Sequence, residues 1–432
     1  MKIAIAGYGI EGEENYAYWS ADPSNELTII DESERPARPI PTGAKTILGP
    51  GVFDQLEGYD LVIRTASLSP HRIETDGKIW SATNEFFASC PAPIIGVTGS
   101  KGKGTTASFI VSILEAAGKK VWFVGNVGTP ALRVLSQVSA DDIVVYELSS
   151  FQLWDLERSP HVAVALFIEP EHLNVHASMD DYVSAKTRIT KFQTPQDTFI
   201  FSASNQYTLA MADKTQAQKR PFPSADGART DGEYFYYGET QLCPTGAVQL
   251  KGMHNVQNAV AAIEAAWLYT QDKTVIETGL RAFTGLPHRL HYVATVDGVE
   301  YYDDSIATTP TSAIAALRAF PDSKKVIILG GSSKGSDYSE LAEELTRHDV
   351  HAILIGEEAA TIATACQDYG FEAYEIIDNA TAEAFTQRAA ELASPGSVVL
   401  LSPASASFGL FKDYADRGDQ YVAAVHRLGK SE

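Results

Sequence analysis

The segment GVTGSKGKGTT, Gly96 to Thr106, sits directly after the apolar run PII and directly before the helix-forming ASFIVSILEAAG. A glycine-rich turn between a strand and a helix lets backbone N–H groups converge on an anion, and the helix N-terminus adds partial positive charge. A phosphate loop is therefore expected over Gly99, Ser100, Lys101, Gly102, Lys103, Gly104, Thr105 and Thr106, with Lys103 reaching the β and γ phosphates. Gly104 stands where Ser or Thr usually follows the lysine, so Thr105 is the hydroxyl offered to Mg²⁺. The bland alternative is a glycine turn that binds nothing. A phosphate loop of this kind needs a parallel sheet beneath it, which restricts the chain to α/β architectures.

The remaining pattern agrees. Short apolar runs alternate with helix-length periodic stretches throughout the 432 residues, a length that suggests two or three domains. Residues 1–90 hold KIAIAG, LTIID and DLVIRT, enough for a small Rossmann-like sheet, and CPAP at 90–93 is the expected linker. Residues 91–290 hold PIIGVTG, VWFVGN, DIVVYEL and VAVALFI, a central parallel sheet of the phosphate-loop ATPase type, with a helix over NVQNAVAAIEAAWLY. EYFYYG, within a Tyr- and Gly-rich stretch, is expected to be a structural hairpin strand. TGLPHRLH at 284–291 interrupts the helical pattern, and residues 291–432 begin a third, Rossmann-like alternation through VEYYDDS, KVIILGG, AILIGE and VVLLSPAS. No internal repeat is present in the sequence.

A formal net charge of -21 argues against nucleic acid or an anionic membrane as partner, since the long-range field repels polyanions. Any bound phosphate then requires local cations. The three cysteines, Cys90, Cys243 and Cys366, are widely spaced and odd in number, which fits a reducing compartment and points to the cytoplasm. The N-terminal apolar run is too short for a signal peptide, and no run approaches the length of a membrane span. A soluble, unprocessed protein is the expectation.

Two further constellations carry chemistry. GYGIEG, with Gly7, Gly9 and Gly12, follows the first strand, and Asp31 ends the next, which is the dinucleotide spacing. It suits a nicotinamide or flavin enzyme, a pyrophosphate with a ribose such as a UDP-sugar, or a tight turn that binds nothing. The second phosphate loop favours the UDP-sugar. Glu147 ends an apolar strand, where it could bind Mg²⁺ beside the phosphate loop, and His172 could reach a second cation. Both are equally compatible with solvated loop positions.

In order, GVTGSKGKGTT, YELSSFQ, PEHLNVH, SAKTRI, GMHNVQNAVAA, GLPHRL, DDSIATTP, GGSSKGSDY and LLSPASASFGLFKDYADRGDQY resemble the Mur ligase family over nearly the whole chain. ELSSFQ, GLPHR, GGSSKGSD and LSPASAS look most like the branch that joins glutamate to UDP-N-acetylmuramoyl-L-alanine. The resemblance implies a monomeric ligase in which ATP phosphorylates the substrate carboxylate and glutamate attacks the resulting acyl phosphate, with two Mg²⁺ ions. Carried over residue by residue, Lys103 and Thr105 serve the phosphates and one Mg²⁺, Glu147 serves that ion and His172 the second. Lys186 matches a lysine that is carbamylated in these ligases, which would make it an oxygen ligand for metal. Asn255 and Asn258 match adenine-side positions, and Arg289 and Asp304 match residues that meet ATP. Lys334, Ser407 and Tyr414 match positions that hold glutamate, while Gly7, Gly9, Gly12 and Asp31 fall at the UDP end.

The chain departs from the family pattern at several places. Gly104 followed by Thr105 looks more like folylpolyglutamate synthases, relatives that also add glutamate through an acyl phosphate but lack the N-terminal UDP domain. Asn174 replaces an aspartate, and Tyr414 replaces a phenylalanine. Ile306 replaces a lysine found near the amino-acid carboxylate in D-glutamate enzymes, a change that suits the sister branch attaching L-glutamate. A nicotinamide oxidoreductase and a nucleotide-binding protein without turnover are the readings from other classes; the first leaves Lys103 without a role, the second has no need of Glu147, His172 and Lys186 together.

Overall fold

The apolar runs become strands buried on both faces, as parallel sheets require. A computed structural model describes every residue except Val127, Asn174, Lys251, Lys334, Asn379, Ala380, Phe408 and 430–432. Lys334 and Asn174, both singled out in the sequence, therefore lie outside the described residues. The chain forms two compact units, Met1–Thr284 and Gly285–Glu432.

The first unit contains two parallel sheets. Strands β1 (Lys2–Ala6), β2 (Glu26–Asp31), β3 (Lys45–Leu48), β4 (Leu61–Arg64) and β5 (Lys78–Ser81) lie in the order β3-β2-β1-β4-β5. Strands β6 (Ile94–Thr98), β7 (Val121–Gly125), β8 (Ile143–Glu147), β9 (Val162–Ala165), β10 (Thr198–Ser202) and β11 (Gln218–Phe222) lie in the order β11-β10-β9-β6-β8-β7. Every pairing in both sheets is parallel. The outer strands β3 and β5 are absent from the sequence reading because they are partly exposed edges, with no continuous apolar run to mark them.

Helix Ala82–Ser89 begins with Ser81 accepting from Asn84 N–H, and it buries Phe86 and Phe87 against Tyr146 of β8. Its apolar side thus belongs to the core of the second sheet, although it precedes CPAP. On the other face of that sheet, helix Lys103–Ala116 packs against helices Met253–Ala266 and Lys273–Ala282. The crossing is close at Gly279, where a Cβ would stand 2.4 Å from Ile113 Cα, and Ser112 Oγ donates to Gly279 O at 2.7 Å.

The Tyr-rich stretch forms strand β13 (Tyr234–Tyr237), antiparallel between β12 (Ala228–Thr230) and β14 (Thr240–Pro244). Tyr237 stacks on Trp267 at 3.9 Å and donates to buried Glu264 at 3.1 Å, so the hairpin reading holds and its packing partner is helix Met253–Ala266. Arg220 Nη1 and Ala228 N–H also donate to Glu264, which satisfies a carboxylate only 2% exposed.

The second unit is a six-stranded sheet. Its strands are β15 (His291–Val296), β16 (Val299–Asp303), β17 (Lys325–Gly330), β18 (Val350–Ile355), β19 (Tyr374–Ile376) and β20 (Val398–Leu401), ordered β15-β16-β20-β17-β18-β19. Only the β15–β16 hairpin is antiparallel. The expected α/β class with parallel sheets is observed, with the antiparallel β12-β13-β14 sheet and the β15–β16 hairpin as additions to it. None of the cysteines forms a disulfide, and among the described residues no helix is long and apolar enough to cross a membrane.

Candidate active site

The phosphate loop lies between β6 and the helix that opens at Lys103. Gly99 and Gly102 have φ of +152° and +83°, which L side chains rarely adopt. A Cβ on Gly102 would stand 2.4 Å from Asn258 Oδ1, so glycine is required for that close approach. Asn258 in turn donates to Asn255 at 3.4 Å, so Asn258 lies against the loop with Asn255 beside it. Thr105 is part-exposed on the first helical turn, whereas Thr106 is fully buried.

Two lysines converge on one carbonyl. Lys103 Nζ donates to Gly99 O at 3.2 Å and Ser100 O at 2.7 Å, while Lys186 Nζ donates to the same Gly99 O at 2.7 Å. Lys186 projects from helix Met179–Lys191, lies 4.6 Å above the Tyr182 ring and is 1% exposed. Burial, reinforced by the Lys103 ammonium, holds its pKa well below the ordinary lysine range against the opposing pull of Glu171 and Glu147. Ser100 is a structural member of the loop: its hydroxyl donates to Glu169 O at 2.8 Å and meets Tyr182 Oη at 2.9 Å. Lys101 is exposed and pairs with Glu169 at 2.8 Å.

Glu147 ends β8 in register with Val97, which brings its carboxylate beside the base of the loop. It is 2% exposed and accepts from Asn126 Nδ2 at 3.2 Å. His172 adopts φ +57° and packs on Phe151 at 5.0 Å, with Glu171 Oε2 at 3.9 Å. Burial lowers the His172 pKa despite Glu171, so the neutral ring competent to bind metal is favoured. Among the described residues no three His, Cys, Asp or Glu side chains gather into a cluster. Mg²⁺ is ordinarily held by one or two carboxylates together with phosphate and water oxygens, and a buried carboxylate and a hydroxyl beside a phosphate loop fit that requirement.

Sequence reasoning missed Asn126 and Tyr182. Asn126 follows the carboxyl end of β7, the same kind of position that drew attention to Glu147. Tyr182 precedes Lys186 by four residues on one helix, and so shares its face.

At the first sheet, Gly7 has φ +90° and a Cβ there would collide with Thr65 Oγ1 at 2.4 Å; at Gly12 it would meet Gly7 O at 2.1 Å. Both glycines permit the tight strand-to-helix turn, whereas Gly9 has open space around it. Asp31 accepts from Tyr8 N–H at 2.6 Å and Ser33 N–H at 2.8 Å. A crevice of about 290 Å³ opens here, bordered by Gly9, Glu11, Ala66, Asn126, Ser149 and Phe151 among others.

In the second unit, Asp304 accepts from Leu290 N–H at 3.0 Å and Ser402 Oγ at 2.7 Å, which fixes the turn bearing Arg289. Burial raises the Asp304 pKa to about 7. Ser407 is buried and Tyr414 is exposed at the start of helix Tyr414–Leu428. Ile306 N–H donates to His288 O at 3.1 Å, tying the DDSIATTP loop to the GLPHR turn.

The Mur ligase middle domain matches residues 97–266, and the Mur ligase glutamate ligase domain matches 288–405. A UDP-N-acetylmuramoylalanine–D-glutamate ligase of Clostridium tetani is 33% identical, covering 99% of this chain and 97% of its own length. One of the same name from Acetivibrio thermocellus is 36% identical, covering 99% and 96%. Among solved structures, the UDP-N-acetylmuramate–alanine ligase of Thermotoga maritima superposes with a TM-score of 0.59 at 19% identity over 100% of both chains. The MurF ligase of the same organism, in complex with ADP, gives 0.56 at 16% identity, covering 99% of this chain and 95% of its own.

Proposed function

The chain belongs to the Mur ligase family, and from that premise we propose that it is a cytoplasmic ATP-dependent ligase adding D-glutamate to UDP-N-acetylmuramoyl-L-alanine in peptidoglycan precursor synthesis. The observation that carries this reading is the convergence of Lys103 and Lys186 on Gly99 O, beside buried Glu147. A carboxylate is a poor acyl donor until one oxygen becomes part of a phosphate leaving group. Lys103 leaves its loop carbonyls to neutralise the charge that develops on the transferring phosphoryl group. The loop N–H groups orient the triphosphate, and Asn255 and Asn258 border its adenosine side. Thr105 and Glu147 would hold one Mg²⁺ and His172 a second, and the ions would supply further neutralisation of the phosphate oxygens.

Lys186 is suited to carbamylation. Its depressed pKa favours the neutral amine, whose nitrogen can attack the carbon of CO₂; the N–C bond forms, one proton is released to solvent, and the neutral side chain becomes an anionic oxygen donor. That conversion also places an anion beside the Lys103 ammonium that shares the Gly99 carbonyl, so the two side chains attract. On the side of the amino acid, Lys334, Ser407 and Tyr414 are the proposed partners of glutamate, and Arg289 and Asp304 those of ATP.

The test is phosphate release by the purified chain with ATP, Mg²⁺, UDP-N-acetylmuramoyl-L-alanine and D-glutamate. Release that depends on both co-substrates supports the proposal; release without them, or none, overturns it. Ile306 in place of the lysine favours L-glutamate as a second reading, because loss of a cation changes how the carboxylate is gripped. Parallel assays with the two enantiomers separate the readings by which one drives turnover.

A further inference from the structure

The order β3-β2-β1-β4-β5 places the topological switch point, where the order of strand addition reverses within an all-parallel sheet, between β1 and β4, and the crevice lies at their carboxyl ends. Glycine loops at such points hold anions through free backbone N–H groups. Here two of those donors are already engaged by the chain's own carboxylates: Tyr8 N–H by Asp31 at 2.6 Å, and Ala66 N–H by Glu11 at 2.8 Å. Asp31 is held at its strand end by Ser33 N–H as well. Glu11 differs, because it reaches from the first turn of helix Ile10–Ser20 to the loop after β4 and forms part of the crevice wall. The nearby Arg64 guanidinium does not hold it: Arg64 donates to both oxygens of Asp155 at 2.6 Å and to the carbonyls of Thr65, Ala66, Leu68 and Phe151.

We propose that Glu11 is a specificity-determining residue whose carboxylate occupies the Ala66 amide that a diphosphate oxygen of the incoming substrate takes, so that binding requires Glu11 to withdraw. The proposal rests on the UDP-linked substrate of the reading above. Glu11 thereby acts as an internal competitor. It weakens ligands that bring a diphosphate to this crevice, and leaves those without one unaffected.

Calorimetric titration of the full chain with UDP and with uridine tests this on wild type, Glu11→Ala and Glu11→Gln. Glu11→Ala frees the amide and is expected to tighten UDP about tenfold, the worth of one charged hydrogen bond. Glu11→Gln keeps the acceptor and loses the charge, so it tightens UDP less. Uridine affinity stays level across the three proteins, and in turnover KM falls for the UDP substrate but not for ATP. Equal or weaker UDP binding by both variants overturns the proposal, as does an equal change for uridine. Failure of UDP to bind any of the three, while ATP binds, overturns the UDP reading of this sheet and the inference with it.

Discussion

Lys186 shows how much a single buried side chain can decide. An ammonium with 1% exposure, facing another ammonium, is costly unless it deprotonates or is chemically altered. Native mass spectrometry is expected to show a carbamate adduct that is absent from Lys186→Ala. The alanine variant should lose at least about a hundredfold in rate, as when one charge-stabilising group is removed from a transition state, and short carboxylic acids should restore part of it. Unimpaired turnover by Lys186→Ala sinks the carbamate. Asp304 gives a pH prediction. Its pKa is raised by burial to about 7, from an ordinary value of 3.8, so the folded unit binds its proton more tightly than the unfolded chain does. The associated stability is complete below pH 4 and is lost as pH rises through 7, at up to about 1.4 kcal/mol per unit. Urea unfolding followed by circular dichroism at pH 5 and pH 8 should show this fall in wild type and a flatter profile in Asp304→Asn. Identical profiles would count against it.

At the scale of elements, the phosphate loop is held by helices that lie far away in sequence. Gly102 admits Asn258, and Gly279 admits Ile113 of the helix that the loop begins. Gly279→Ala is expected to push two helix backbones apart and cost about 1–3 kcal/mol, read as a lower urea midpoint. No change would mean that the crossing relaxes freely. Strands with continuous apolar runs, such as β6, β8 and β9, were legible in the sequence because both faces are buried. Strands β3, β5 and β11 were not, since edge positions mix lysine, glutamine and proline with few apolar residues and satisfy their backbone partly with solvent.

For the whole molecule, the division at Thr284 and Gly285 allows the units to be followed separately. All tryptophans, Trp19, Trp80, Trp122, Trp154 and Trp267, fall in the first unit. Arg64 ties its two sheets together through Asp155, with no exposure of the arginine side chain. Arg64→Ala leaves that carboxylate without its partner and should destabilise the first unit by about 3 kcal/mol. Tryptophan fluorescence should then report an earlier urea transition, while a second component of the circular dichroism remains in place; a joint shift of both would contradict independent units.

The amino-acid sequence by itself determined the α/β class and the phosphate loop, because glycine spacing and apolar periodicity are local properties of the chain. It also marked Glu147, His172 and Lys186 through their motifs. Only the tertiary structure decided that Lys186 shares a carbonyl with Lys103, that Asn126 reaches Glu147, and that Glu11 already occupies the Ala66 amide at the crevice of the first sheet. Those relations depend on burial and on strand order, which bring together side chains tens of residues apart and which no local pattern encodes.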